Sequence, residues 1–194
     1  MKNIFRETKF IRGVTAFKSL PKDEGVEIIL AGRSNAGKSS ALNAICENPK
    51  LARISKTPGR TTEANFFEVC KDLKLVDLPG YGYAKSTKKR IDAWAPFLDD
   101  YFASRNSLKA AVLFMDIRHP FKESDRDFSN YCSSLAPSLE LIFVLTKADK
   151  VKKNEQNKAI YFLENETGSK NIFVVSSLKS TGIDKLRGKL LSFK

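Results

Sequence analysis

Apolar and polar positions alternate along the chain between a strand-like and a helix-like period. Val26 to Ala31 is a short run rich in β-branched residues, closed by Gly32, and the stretch from Lys38 to about Glu47 that follows reads as a helix. Further apolar runs lie at Leu73 to Val76, Ala110 to Met115, Leu141 to Leu145 and Asn171 to Val175, each set apart by enough chain to cross back over a sheet. This alternation predicts an α/β fold built on a doubly wound, mostly parallel sheet. Asn65 to Val69 also reads as a strand, and only Cys70, Lys71 and Asp72 join it to Leu73, so a hairpin there predicts one antiparallel edge strand. Residues 1–25 read as an N-terminal extension packing on the domain formed by residues 26–194, and Lys9 to Thr15 could add another strand.

The helical stretches carry apolar residues three and four apart: Ile91, Trp94, Phe97, Leu98 and Tyr101 in one, Phe128, Tyr131, Cys132 and Leu135 in another. Both stripes predict faces turned to a core, Trp94 included, since it is in phase with its neighbours. Ser124, with Asp127 three residues on, predicts a helix start of the capping-box type with Asp in place of Glu. No internal repeat and no Pro, Gly or Ser-rich linker divides the chain.

Composition narrows the class. The chain has 194 residues, 42% of them hydrophobic and 29% charged, which is ordinary globular usage and excludes a disordered or collagen-like chain. Its apolar runs fall far short of the roughly 18 residues a membrane span needs, and Met1 to Arg12 has too many charges for a secretory signal, so the expected place is the cytoplasm. Cys46, Cys70 and Cys132 are too few and too scattered for a disulfide framework and read as reduced packing residues. His119 has no second His or Cys at metal-ligand spacing. The 34 Lys and Arg against 22 Asp and Glu leave a net charge of +12, which favours a polyanionic partner: RNA, DNA or an anionic membrane surface.

The strongest chemical signal is Gly32-Arg33-Ser34-Asn35-Ala36-Gly37-Lys38-Ser39, which fits G-x-x-x-x-G-K-[ST] between a strand and a helix. Glycines let the backbone wrap phosphate oxygens so that several N–H groups converge, and the helix that follows adds the positive end of its dipole. Lys38 would reach the β and γ phosphates, and the Ser39 hydroxyl would hold Mg²⁺. Asp77-Leu78-Pro79-Gly80 ends the strand at Leu73, offering a carboxylate for Mg²⁺ through water and a Gly80 N–H for the γ phosphate. Pro58-Gly59-Arg60-Thr61-Thr62 is a polar, turn-prone loop in which one Thr hydroxyl could complete the Mg²⁺ shell.

Thr146-Lys147-Ala148-Asp149 decides the base. The segment follows the strand Leu141 to Leu145, where nucleotide loops sit in such sheets. An Asp149 carboxylate can accept two hydrogen bonds from guanine, whereas adenine would turn a lone pair on it. Each charge-assisted bond is worth about 1.5–3 kcal/mol, so guanine should win by orders of magnitude. Lys147 can lay its stem along the base or the phosphate loop. The backbone at Val175-Ser176-Ser177 could meet the guanine edge opposite Asp149.

In order, these residues resemble the translation-factor-like GTPases. The phosphate loop, Lys56-Thr57-Pro58-Gly59-Arg60-Thr61, Asp77-Leu78-Pro79-Gly80-Tyr81-Gly82-Tyr83-Ala84 and Asp116-Ile117-Arg118-His119-Pro120 together are similar to the EngB family of bacterial ribosome-assembly GTPases, and the likeness covers nearly the whole chain. The resemblance implies a P-loop GTPase fold with residues 26–194 as the GTP-binding domain. It implies GTP and GDP binding with Mg²⁺, slow hydrolysis, a role in assembling the large ribosomal subunit and a need for the protein in normal septation. Ser39 and Thr61 are then the Mg²⁺ ligands. Nucleotide contacts are implied at Gly32, Arg33, Ser34, Asn35, Ala36, Gly37, Lys38 and Ser39, at Gly59, Arg60, Thr61, Thr62 and Glu63, and at Asp77, Leu78, Pro79 and Gly80. The base side adds Thr146, Lys147, Ala148 and Asp149, with Val175, Ser176 and Ser177. Lys38, Thr61, Gly80 and Asn35 form the candidate catalytic set, Asn35 because a similar Asn in some GTPases holds K⁺ near the phosphates.

Two positions depart from the broader GTPase pattern. Thr146 stands where many GTPases have Asn, and Tyr81 where Ras-like proteins have the Gln that orients water, so unaided hydrolysis is expected to be slow. Arg33, Lys85, Lys88, Lys89 and Arg90, and Lys147, Lys150, Lys152 and Lys153, form two basic groups expected to face rRNA in a large-subunit precursor. The expected state is a monomer with no membrane partner. Two rival readings are a division-site interaction protein controlled by GTP and a P-loop small-molecule kinase.

Overall fold

The structure is a computed structural model that describes residues 3–52, 63–81 and 87–194, the side chains of residues 87–95 excepted. Ile91, Trp94, Lys88, Lys89 and Arg90 therefore lie outside the described side chains, and Lys85, Gly59, Arg60, Thr61 and Thr62 outside the described residues.

Seven strands form one sheet: β1 (Lys9–Val14), β2 (Val26–Gly32), β3 (Ala64–Cys70), β4 (Leu73–Asp77), β5 (Leu108–Asp116), β6 (Glu140–Thr146) and β7 (Ile172–Val174), in the order β1-β3-β4-β2-β5-β6-β7. Pairing is parallel from β4 through β7, and β3 runs antiparallel between β4 and β1. The hairpin at Cys70 to Asp72 is thus present. β1 covers the outer side of β3 and takes the edge itself, because β1 also has a paired register, Lys9 to Val14 against Glu68 to Ala64.

The helices are α1 (Lys38–Cys46), α2 (Thr87–Ser104), α3 (Glu123–Leu135), α4 (Lys153–Thr167) and α5 (Ile183–Leu191). Strand alternation divides the apolar residues between two layers. Ile28, Leu30, Leu75, Val112, Phe114 and Val144 pack with Leu42, Ile45, Leu186 and Leu190 of α1 and α5. Ile29, Ala31, Val76, Leu113, Met115 and Leu145 pack on the other face with Phe97, Tyr101, Cys132 and Leu163 of α2, α3 and α4. Because β2, β5 and β6 are covered on both faces, they read as continuous apolar runs. Phe5, in a 3-10 turn at Ile4–Glu7, is fully buried in the first layer, which ties residues before β1 into the core. Cys46, Cys70 and Cys132 are free thiols, and burial pushes Cys46 up to about 11 and Cys132 to about 12, so both stay protonated packing groups.

One local expectation is corrected. Helix α3 starts at Glu123 with Lys122 as its cap position, and the Asp125 carboxylate, not that of Asp127, accepts the Lys122 N–H at 3.0 Å. The physical reason is long-range: Asp125 is drawn inward by partners on other elements, described below.

α1 leaves β2 towards one face, and the chain reaches β5 from β4 through α2 on the other. The carboxyl ends of β4, β2, β5 and β6 therefore meet at one rim, at Asp77, Gly32, Asp116 and Thr146. In an open α/β sheet this switch in winding is where ligands bind.

Candidate nucleotide site

Two glycines make the loop after β2 possible. Gly32 lies so close to β5 that a Cβ on it would come 2.6 Å from the Phe114 carbonyl. Gly37 caps α1 with φ +90°, in the left-handed region that side chains avoid. Between them Asn35, at φ +64°, is exposed. The first N–H groups of α1 have no side-chain cap, so they remain free to meet an anion.

Lys38 and Asp77 are both buried and form an ion pair across the base of the loop. Ser39 follows on the first turn of α1. A hydroxyl at Ser39 and a carboxylate at Asp77 are oxygen donors of the kind Mg²⁺ prefers, so the residues present fit that ion. Past Asp77, the Leu78 N–H donates to the Leu30 carbonyl at 3.0 Å, Pro79 is half-buried and Gly80 is exposed beside Ser34. Glu63 immediately precedes β3, whose Asn65 pairs with Asp77 at this rim, and its carboxylate lies against Gly13 of β1.

The loop after β6 is bound directly to the phosphate loop. Thr146 is 1% exposed, and its hydroxyl lies in hydrogen-bond reach of the Ala36 carbonyl and, at 3.0 Å, the Met115 carbonyl. Where many GTPases use Asn for this tie, a hydroxyl makes it here. The Lys147 ammonium donates to the Asn35 carbonyl at 2.7 Å and pairs with Asp116 at 2.9 Å. Burial pushes the Asp116 carboxyl up, but the Arg118 guanidinium, the Lys147 ammonium and the Arg118 N–H outweigh it and hold it well below the usual carboxylate range.

Asp149 accepts the Ser176 hydroxyl at 2.6 Å, and this bond, opposed by burial and helped by Lys150, keeps its carboxyl below the usual range. Ser176 is fully buried, and the Ala148 N–H reaches the Val175 carbonyl at 3.1 Å, so Ala148, Asp149, Val175, Ser176 and the half-exposed Ser177 share one corner. An ionised carboxylate fixed on one edge can accept two N–H donors from a planar base.

The structure thus gathers Gly32 to Ser39, Asp77 to Gly80, Thr146 to Asp149 and Val175 to Ser177 at one rim. Sequence reasoning missed three ties there: Lys38 to Asp77, Lys147 to Asp116, and Arg33 to Asp125, whose guanidinium Nε lies 2.9 Å from the Asp125 carboxylate. Asp116 had a readable signal, since it ends β5 as Asp77 ends β4. Asp125 had none, lying 92 residues from Arg33. Arg33 and Lys147, read from the sequence as members of basic surface groups, are engaged internally, while Lys150, Lys152 and Lys153 are exposed.

The sequence model of the 50S ribosome-binding GTPase family matches residues 27–147. The chain is 43% identical over 192 residues to the probable GTP-binding protein EngB of Ruthia magnifica subsp. Calyptogena magnifica, covering 97% of this chain and 96% of that one. The chain belongs to the EngB family of GTPases. A second EngB protein, from Stenotrophomonas maltophilia (strain K279a), is 46% identical over 176 residues, covering 88% and 87%. The fold is also that of a crystal structure of a probable GTP-binding protein engB, with a TM-score of 0.69 and 24% identity over 87% of this chain and 98% of the other. Aquifex aeolicus Era bound to GDP and AlF4⁻ shares it at a TM-score of 0.68 and 18% identity, over 88% and 57%. Among the described residues of this EngB-family chain, no helix is long and apolar enough to cross a membrane.

Proposed function

We propose that this chain is a Mg²⁺-dependent GTP switch in assembly of the large ribosomal subunit, acting in the cytoplasm as a monomer. The observation that carries the reading is the joined loop pair: Thr146 and Lys147 bound to the phosphate loop, with Asp149 held ionised by Ser176. This supports reading Asp149 as the residue that recognises guanine, tied through Thr146 and Lys147 to the loop that would hold the phosphates. In this reading Gly32 to Ser39 cradle the phosphates, Lys38 leaves Asp77 for the β and γ oxygens, and Ser39 with Thr61 hold Mg²⁺, Asp77 assisting through water. The ion would neutralise charge on the phosphate oxygens as the γ-phosphoryl group leaves. Gly59 to Glu63, with Gly80, respond to the γ phosphate. The Asn35 side chain is the candidate ligand for K⁺.

The family model's name supports a ribosomal partner, and the exposed Lys150, Lys152 and Lys153 offer a surface for rRNA. A need in septation is carried as a consequence of the same switch. Binding of fluorescent GDP to wild type and Asp149→Asn, in competition with ATP and xanthine nucleotides, tests the core of it. Loss of two charge-assisted bonds should weaken guanine binding by about 100- to 10,000-fold and shift preference to xanthine. Equal competition by ATP would overturn the guanine reading, and equal turnover in KCl and NaCl would remove K⁺.

A further inference from the structure

Tyr81 occupies the position directly after Gly80, and its side chain points away from solvent into α3. Its hydroxyl donates to Asp125 Oδ1 at 3.0 Å, and its ring stacks on Phe128 with centroids 5.1 Å apart and planes 16° from parallel. Asp125 and Phe128 are three apart on α3 and so share a face, one turn supplying the polar end and the next the flat wall of a single socket.

The backbone of Tyr81 is bound just as closely to the phosphate loop. Its N–H donates to the Gly32 carbonyl at 3.3 Å, and its carbonyl accepts the Ser34 N–H at 3.1 Å. Gly80 is consequently so near that a Cβ on it would lie 3.2 Å from the Ser34 nitrogen. Arg33 completes the arrangement: its Nε donates to Asp125 Oδ2 at 2.9 Å and its terminal nitrogen to the His119 carbonyl at 2.8 Å.

Asp125 is 0% exposed, and both its oxygens are used, by Arg33 and the Lys122 N–H on one side and Tyr81 on the other. Burying a carboxylate costs more than burying an apolar side chain of similar size, and a Phe at position 81 facing an apolar residue at 125 would pack as well. Packing alone therefore does not account for this pair. What the pair adds is direction: a ring held only by stacking can slide, whereas a hydroxyl bound to a fixed carboxylate sets where the ring, and the backbone carrying it, must lie.

We propose that Tyr81 and Asp125 are a positioning pair for GTP hydrolysis, through which α3 holds Gly80 against the phosphate loop beside the bond that is cleaved. Tyr81 does not orient water, since its hydroxyl is committed to Asp125. It acts through the backbone of its neighbour. The inference deepens the family's GTPase chemistry, and GDP affinity measured on the same samples separates a fault in positioning from a fault in nucleotide binding.

The test compares single-turnover GTP hydrolysis by wild type, Tyr81→Phe, Asp125→Asn and the double variant, with GDP affinity and unfolding midpoint recorded for each. Tyr81→Phe keeps the stacked ring and removes only the hydroxyl. We expect it to slow hydrolysis by about three- to tenfold, the range one ordinary hydrogen bond supplies, with GDP affinity changed less than about twofold. The double variant should be no slower than Asp125→Asn alone, because both changes break the same link. A Tyr81→Phe rate within about twofold of wild type, or losses that multiply in the double variant, would overturn the proposal. If Asp125→Asn does not fold, Tyr81→Phe decides it alone.

Discussion

Single atoms determine how the two halves of the site are joined. The Thr146 hydroxyl is one link between the loop after β6 and the phosphate loop, beside that of Lys147 to Asn35, and it is buried with two backbone carbonyls in reach. Replacing it with Val keeps shape and volume close to constant while leaving a buried carbonyl unpaired, which costs about 1–3 kcal/mol. Thr146→Val should therefore lower the free energy of unfolding by that amount, seen as a lower midpoint of chemical unfolding at unchanged slope, and weaken GDP binding. An unchanged midpoint would mean that water or a shifted backbone replaces the hydroxyl. Thr146 illustrates a limit of sequence reading as well. A Thr in place of Asn has no local signature showing that the tie is kept, yet the hydroxyl lies within hydrogen-bond reach of the Ala36 carbonyl.

Among the elements, the phosphate-loop helix is held at both ends. Its start meets the site, and its far end is clamped by α5 and the N-terminal residues. The Arg187 guanidinium donates to the Ala44 carbonyl at 2.7 Å and the Ile45 carbonyl at 2.8 Å, and pairs with Glu47 at 3.0 Å. Asn3 and Arg6 also bind Glu47. A cation at the last carbonyls satisfies orphan acceptors and complements the helix dipole. Arg187→Met keeps the aliphatic stem and removes the charge, so it should cost about 1–3 kcal/mol, a fall of several degrees in thermal midpoint. GDP affinity should change little, because the clamp lies a full helix length from the phosphates. A large loss of affinity without a loss of stability would show instead that the clamp tunes the loop.

For the molecule as a whole, charge sets how it meets a partner. With a net charge of +12 and Lys150, Lys152 and Lys153 exposed, binding to ribosomal particles should release counterions. Raising KCl from about 50 to about 200 mM should weaken cosedimentation with large-subunit particles by at least about tenfold. Salt-insensitive binding would point to a contact that is not made to phosphate.

The strand, loop and helix around Gly32 to Ser39, the loop that follows β6 at Thr146 to Asp149 and the hairpin at Cys70 to Asp72 were all legible in the sequence. Each is a local pattern whose spacing is dictated by backbone geometry, so neighbouring residues suffice to read it. The tertiary structure alone decided which strand ends meet, that β1 takes the edge beyond β3, and that Arg33 and Lys147 turn inward. It also selected Asp125 over Asp127 as the acid at the start of α3. A lone Asp or Arg on an amphipathic helix has the same local signature whether it faces water or a buried partner. Its role here follows from strand order, which brings Arg33 to Asp125 across 92 residues and Arg187 to Ile45 across 142.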